Sequence, residues 1–340
     1  MGNLLNDFTQ LFNRRFRYEF EGEVVACNLC GSTEYDVVGR RDRYFGPLQT
    51  VLCRGCGLVY TNPMPTEAEV SEFYAQRYRR DYHGSDEPRV RAAARASEGA
   101  VRRLEQLAPY ISEGARVVDV GSGGGEFVAC LTENGYHATG LEPNRGYAEF
   151  SRREYGIDAR NADWQGADFD AGSLDMITAT HVLEHFRDPK GAVLQFAEWL
   201  RDGGHLYLSV PNIEVYHRSP VSRFHFAHLY NFNHQSLIML ASRAGFFPVE
   251  DWRDEPTNLL FVKSAASPAA AGDPRENYKR LRLYFNQHTA WNYYRTATPY
   301  KRFFQKLYKR FREYRNVRSL KTPKDALEES FKRNDEQPLG

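Results

Sequence analysis

Two pairs of cysteines and one glycine-rich turn carry the residue types best suited to chemistry in this chain. Cys27-Asn-Leu-Cys30-Gly31 and Cys53-Arg-Gly-Cys56-Gly57 are two C-x-x-C-G knuckles with 22 residues between them. A two-residue spacing followed by glycine lets a tight turn aim both thiolates at one point. Four thiolates close a tetrahedral site that suits zinc and leaves no position for water, so such a metal would be structural. A redox pair is the competing reading, and the presence of two equal knuckles disfavours it. The fifth cysteine, Cys130, falls inside a helical pattern and reads as a small core residue.

The second feature is Asp119-Val-Gly121-Ser122-Gly123-Gly-Gly125, which follows an apolar strand pattern and opens a helix. Glycines there let a ligand approach the amides at a helix N-terminus. A dinucleotide fingerprint needs G-x-G-x-x-G, but counting from Gly121 its third glycine position is Glu126. A bare tight turn is the other reading. Two further acids follow at successive strand ends. Glu142, before Pro143, can accept both hydroxyls of a ribose. Asp163 can bond an adenine amine, with the Trp164 indole on the base's face.

Together with Asp175-Met-Ile-Thr-Ala-Thr-His181-Val-Leu-Glu184-His185-Phe, these residues resemble the class I S-adenosylmethionine-dependent methyltransferases, above all the small-molecule branch with an H-V-L-E-H segment after its fourth strand. The resemblance spans about residues 100–265. It implies an α/β, Rossmann-like, seven-stranded sheet whose last strand is antiparallel. It also implies that Asp119, Gly121, Ser122, Gly123 and Gly125 hold the methionine part of S-adenosylmethionine, Glu142 and Pro143 the ribose, and Asp163 and Trp164 the adenine, with His181 at the cofactor's edge. Asp175 reads as structural.

Methyl transfer is an in-line displacement, so the protein chiefly aligns and desolvates donor and acceptor. A hydroxyl acceptor also needs a base, and histidine suits that task near neutral pH. His185 is the first candidate and His181 the second. A fixed, hydrogen-bonded role for either is the plainer alternative. Tyr216, His217, His225, His228, Tyr230 and His234 crowd the stretch after the fifth strand. They suggest an acceptor pocket, with His228 and Tyr230 foremost, or an aromatic loop packed on the sheet. Tyr74, Tyr78 and Tyr82 are further candidates for the acceptor side. Val210-Pro211-Asn212 does not match the Asn-Pro-Pro-Tyr type of motif used in base amino methylation, which weighs against a DNA-adenine target.

A zinc ribbon ahead of such a domain resembles bacterial methyltransferases of sugar, surface-glycan and natural-product biosynthesis. The expected reaction is therefore methyl transfer to a small-molecule or glycan acceptor, such as a sugar or lipid-linked saccharide hydroxyl in polysaccharide biosynthesis. The chain departs from sugar C-methyltransferases, which carry a further large C-terminal domain. An RNA methyltransferase and a non-catalytic cofactor-binding scaffold are the alternatives.

The elements that must position these groups follow from pattern. Strands at 116–120, 137–141, 157–161, 174–179 and 206–210 alternate with helices at 126–134, 145–155 and 190–200. That alternation implies a parallel sheet covered on both faces. A further helix at 236–244 and a closing antiparallel pair at 247–252 and 259–264 complete it. Thr66 and Glu69 form a capping-box pattern that starts a helix at Glu67. The expected organisation is an N-terminal segment (1–22), a ribbon (23–62), a helical connector or lid (63–100), the methyltransferase domain (101–265), and a linker with a basic tail (266–340).

The net charge of +1 conceals an asymmetry. Residues 275–340 hold 17 Lys/Arg against 7 Asp/Glu, a net of +10, which leaves −9 on residues 1–274. Within residues 301–318, eight basic residues accompany Phe304, Leu307, Tyr308, Phe311 and Tyr314 at helical spacing. Such a helix suits an anionic membrane surface, a phosphate backbone, or docking of its apolar face on the body. The acidic body makes nucleic acid the weaker partner. No apolar run approaches the roughly 18 residues of a membrane span, and residues 1–20 lack a secretion pattern. The expected location is cytoplasmic, with peripheral contact at the inner membrane through the tail.

Overall fold

The computed structural model describes residues 18–73, 87–216, 218–252, 257–264, 272–317 and 320–336. Tyr74, Tyr78, Tyr82, His217 and residues 1–17 lie outside the described residues.

The larger unit is a seven-stranded sheet. Its strands are β4 (Arg116–Val120), β5 (His137–Leu141), β6 (Asp158–Arg160), β7 (Leu174–Thr180), β8 (Leu200–Val210), β10 (Phe246–Trp252) and β11 (Thr257–Lys263). They lie in the order β10-β11-β8-β7-β4-β5-β6, and β11 runs antiparallel to both its neighbours. The expected Rossmann-like sheet with an antiparallel last strand is thus present. The helices α2 (Val90–Leu107), α3 (Glu126–Glu133), α4 (Arg145–Tyr155), α5 (Pro189–Trp199) and α6 (His234–Ser242) cover it. Strands β4, β7 and β8 are apolar on both faces because both are packed, and the core divides into two clusters, one on each side.

The cysteine unit is a second sheet of β1 (Tyr35–Arg41), β2 (Pro47–Cys53) and β3 (Val59–Thr61), paired antiparallel. Its fourth strand is β9 (Tyr230–Asn231), a two-residue piece of the loop after β8. The ribbon therefore does not stand apart. Cys27, Leu29, Val51, Leu58, Tyr60 and Met64 share one buried cluster with Val120, Ile177, Phe196 and Leu208 of the large sheet. The helix α1 (Glu67–Phe73) follows, started by the reciprocal Thr66–Glu69 bonds of a capping box. Asn62 is fully buried and ties the ribbon's edge to Val25 through both its amide atoms.

The C-terminal region returns to the body at two places. Helix α7 (Pro274–Gln287) lies on the ribbon, where Asn277 donates to the Cys56 carbonyl (2.9 Å) and Tyr278 donates to Asp36 (2.6 Å). A short α8 (Ala290–Tyr294) leads to α9 (Thr298–Val317), which contains the basic stretch. Helix α10 (Pro323–Glu336) packs along α2 and sends Leu327 into the core. Tyr300, Phe303, Phe304, Leu307 and Tyr308 of α9 are exposed.

Candidate functional site

The carboxyl ends of β4, β5 and β7 open onto a cavity of about 950 Å³. One wall comes from the large sheet and carries Gly121, Gly123, Glu142, Asp163, Trp164 and His181. The opposite wall comes from the ribbon and α1, through Glu23, Val25, Asn28, Met64 and Val70.

The glycine loop turns where β4 ends. Gly121 and Ser122 donate to the Leu141 carbonyl at 2.8 and 3.0 Å, which fixes the loop to the end of β5. Gly121 has φ +71°, and a Cβ there would lie 2.3 Å from a Val182 methyl. Gly123 has φ +58°, and a Cβ would meet nothing within 4 Å, because this glycine faces the cavity. Bare backbone beside open space is what a ligand approaching the loop requires. Glu142 is buried and accepts from the Gly123 amide (3.0 Å) with one oxygen and the Asn144 amide (2.9 Å) with the other. Glu142 also lines the cavity, and a carboxylate of this kind has the acceptor capacity a ribose diol needs. Asp163 accepts from Gly166 (2.8 Å), and Trp164 packs at a tilt against Phe186. The residues present therefore fit an adenosyl group.

Three of the expected cofactor residues stand behind the cavity wall rather than on it. Asp119 is buried, accepts from the Thr178 hydroxyl (2.6 Å) and faces Arg103 at 3.9 Å. Burial raises its carboxyl above the ordinary range. Ser122 and Gly125 lie inside the turn, where a Cβ on Gly125 would run into Ile157 and Ser151. These three shape the loop. Asp175 is structural, as expected: it accepts from the Arg116 amide and the Arg201 side chain at 2.8 and 2.6 Å.

Glu126 was not singled out by the sequence and lies directly beneath the loop, where its carboxylate fills the place of a Gly124 side chain. Burial, with Asp119 nearby, pushes it up to about 7. The folded chain therefore binds more protons than the unfolded chain between about pH 4.5 and 7. Stability from this group is full below that window and falls as pH rises through it. Glu126→Gln should stabilise the protein by on the order of 3 kcal/mol at pH 8 and by little at pH 5. Urea unfolding at the two pH values measures the difference.

The histidines part company. His181 and His185 lie on the cavity wall, and so does Tyr230. His181 is half exposed with φ +54°, a rare conformation for a non-glycine residue. His185 Nδ1 lies 2.7 Å from the Ala227 carbonyl, so it carries the proton and donates, and Nε2 lies 3.8 Å from Glu184 Oε1. Tyr230 is buried in the shared core and donates to the Arg187 carbonyl (3.2 Å). Burial raises its hydroxyl further above the ordinary phenol range. His228 and His225 meet at a tilt, ring centres 3.7 Å apart, and burial pushes both imidazoles well down, so they are neutral near pH 7. His234 is the first residue of α6, after its cap Asn233, and pairs with Asp251 on β10, away from the cavity. Tyr216 packs on Tyr284 of α7. The crowded stretch after β8 thus serves several places instead of forming one acceptor pocket.

At the far side of the cleft the four cysteines converge. Their sulfurs lie within 4.8 Å of one another, with Cys27–Cys56 at 3.5 Å and Cys30–Cys53 at 3.4 Å. A tetrahedral zinc with Zn–S bonds of about 2.3 Å holds its sulfurs about 3.8 Å apart, so the cluster has the size such an ion needs. Gly31 and Gly57 close the knuckles by donating to the Cys27 and Cys53 carbonyls at 2.7 and 2.9 Å. Cys130 is buried in α3, and burial pushes its thiol up to about 12, in keeping with a core role. Asn28, inside the first knuckle, donates to Asp188 (2.8 Å) and accepts from the Lys190 amide (3.0 Å), which clasps the ribbon to the start of α5.

The sheet order, the reversed β11 and the ligand-facing glycine at the end of β4 describe one fold, and residues 92–250 match the family model for a methyltransferase domain. This part of the chain has the class I methyltransferase fold. The chain is 30% identical to a ubiquinone biosynthesis O-methyltransferase of Cronobacter sakazakii, over 34% of this chain and 54% of that protein. It is 32% identical to its counterpart in Idiomarina loihiensis, over 30% of this chain and 44% of that protein. The chain thus spans about half the length of these curated relatives. A solved S-adenosylmethionine-dependent methyltransferase of Mesorhizobium loti is 17% identical, covers 48% of this chain and 96% of its own, and superposes with a TM-score of 0.42. In the methyltransferase domain, none of the described helices is long and apolar enough to cross a membrane, and the same holds for the rest of the described chain.

Proposed function

We propose that the chain transfers a methyl group from S-adenosylmethionine to an oxygen of a small or glycan acceptor held between the sheet and the ribbon. One observation carries this reading: a single cavity runs from Glu142 and Asp163 on the sheet to Val25, Asn28 and Met64 on the ribbon. It has a cofactor-type wall and a second wall that the methyltransferase domain alone lacks. O-methylation is also the reaction for which the two relatives are named. When bound, S-adenosylmethionine supplies a methyl group activated by its sulfonium. Glu142 and Asp163 fix the adenosyl end, and the glycine loop leaves room for the rest.

The acceptor hydroxyl must lose its proton as it is methylated. His181 takes it in this reading, because it is the half-exposed imidazole on the cavity wall, whereas His185 spends one nitrogen on Ala227. The four cysteines hold one structural zinc, which keeps the ribbon wall in place. Helix α9, with its basic residues and exposed Phe304 and Tyr308, meets an anionic membrane surface where a lipid-linked acceptor resides. Nucleic acid fits less well, since residues 1–274 carry a net −9.

The test is methyl transfer from S-adenosylmethionine labelled in its methyl group. Nucleotide sugars are offered in solution and lipid-linked saccharides in anionic vesicles. His181→Ala should cut kcat by about 10²–10³ with cofactor affinity preserved. Full turnover in that variant removes His181 as the base. Cofactor binding without transfer to any acceptor would favour the scaffold alternative.

A further inference from the structure

Beneath the cavity wall lies a cluster that the proposed reaction does not use. Glu184 sits in the 3-10 turn Leu183–His185 and is 1% exposed. Neither of its carboxylate oxygens has a hydrogen-bond partner among the described residues. A buried carboxylate without a donor is costly, so its surroundings must supply positive charge. His185 Nε2 lies 3.8 Å from Glu184 Oε1 and His228 Nε2 lies 3.9 Å from it. These distances are too long for hydrogen bonds. The three ligand atoms all lie within 4.8 Å of one another.

We propose that Glu184, His185 and His228 bind a divalent transition-metal ion, separate from the four-cysteine site. Such an ion, with bonds of ~2.1 Å, holds its donor atoms about 3–3.5 Å apart, so the three ligand atoms would draw together by roughly 0.5–1 Å as it binds. The second shell is in place. His185 Nδ1–H donates to the Ala227 carbonyl, which fixes the tautomer with Nε2 as the metal-binding nitrogen. The same tight turn, closed by the His228 amide on the His225 carbonyl at 3.0 Å, supplies His228. One loop thus provides both a ligand and the group that orients another. Two imidazoles and one carboxylate select zinc and its neighbours in the first transition row over magnesium or calcium. Three protein ligands leave a position open, and His185 faces the cavity. An acceptor oxygen placed there would bind the ion and give up its proton to His181 more readily. That role rests on the proposed function, whereas the binding of the ion does not.

The test is metal loading of the full chain, read without any activity assay. The protein is incubated with cobalt(II) or zinc(II), desalted, and its metal content measured. About two ions per chain are expected for the wild type, and about one for Glu184→Gln and for His228→Asn. Cobalt separates the sites. Intense thiolate charge-transfer bands should persist in both variants, while the weaker visible bands of a nitrogen and oxygen site disappear. A wild-type chain that takes up one ion, all of it thiolate-bound, overturns the proposal. So does a folded variant that retains both. Loss of methyl transfer with two ions bound would count against the proposed function and leave this site standing.

Discussion

Cys53→Ser should release the thiolate-bound zinc, lower the melting temperature by roughly 10 °C, and abolish methyl transfer while leaving cofactor affinity within about threefold of the wild type. The expectation follows from where Cys53 sits. It is fully buried, its sulfur faces Cys30 at 3.4 Å, and it ends β2 in the middle of the ribbon. A serine hydroxyl is a poor zinc ligand near neutral pH, so the closed site loses its fourth thiolate. Binding of structural zinc is worth on the order of 10 kcal/mol in small ribbons, where it is folding energy outright. Here part of that is offset, because Tyr60, Leu58 and Met64 of the ribbon share a core with the large sheet. The predicted effect is therefore loss of the ribbon wall, not global unfolding. The glycine loop, Glu142 and Asp163 all belong to the sheet, so the cofactor wall should survive. Metal analysis, thermal melting and calorimetry with S-adenosylmethionine read the three parts separately. A variant that keeps its zinc and its melting temperature would refute the structural role of the site. Equal loss of cofactor binding and turnover would show that the two walls are not separable.

The ribbon's attachment was the least legible part of the sequence. The knuckles were plain, because C-x-x-C-G constrains four residues and a turn at once. The sheet was plain too, because β4 and β7 are largely apolar and β4, β5 and β7 each carry an acid or a histidine at or just past their carboxyl ends. The joints between the two units leave no such trace. Strand β9 is two residues long, so no alternation exists to reveal it, yet it adds Tyr230 and Asn231 to the edge of the ribbon sheet. Asn277 reaches the Cys56 carbonyl across 221 residues, and nothing in the composition of a basic tail announces that contact. Strand β8 begins at Leu200, six residues before its apolar run, because Arg201 and Asp202 sit at the exposed, irregular end of the β7–β8 pairing. The histidines after β8 were legible as residues but not as a site. Their partners lie on three different elements, and Glu184, which His228 approaches, read only as part of the H-V-L-E-H segment.

On the cofactor wall, Glu142→Ala should weaken binding of S-adenosylmethionine and of its demethylated product equally, by about 100-fold or more. The carboxylate has two duties. It orders the loop by accepting from the Gly123 and Asn144 amides, and it lines the cavity where the proposed ribose would sit. Hydrogen bonds to a charged group contribute about 1.5–3 kcal/mol each, and two ribose hydroxyls lose theirs together. Asp163→Ala should cost less, about tenfold, because Asp163 is exposed and its bond to the base is shared with solvent. Glu142→Gln separates the duties. The amide retains one acceptor for the loop but loses the charge, so its affinity should fall between those of the alanine variant and the wild type. The equality between the two ligands is the sharper criterion, since they differ only at the sulfur and the ribose assignment places Glu142 at the sugar. Unchanged affinity in Glu142→Ala would sink that assignment. A loss confined to S-adenosylmethionine would move Glu142 from the ribose to the methyl-bearing end of the ligand.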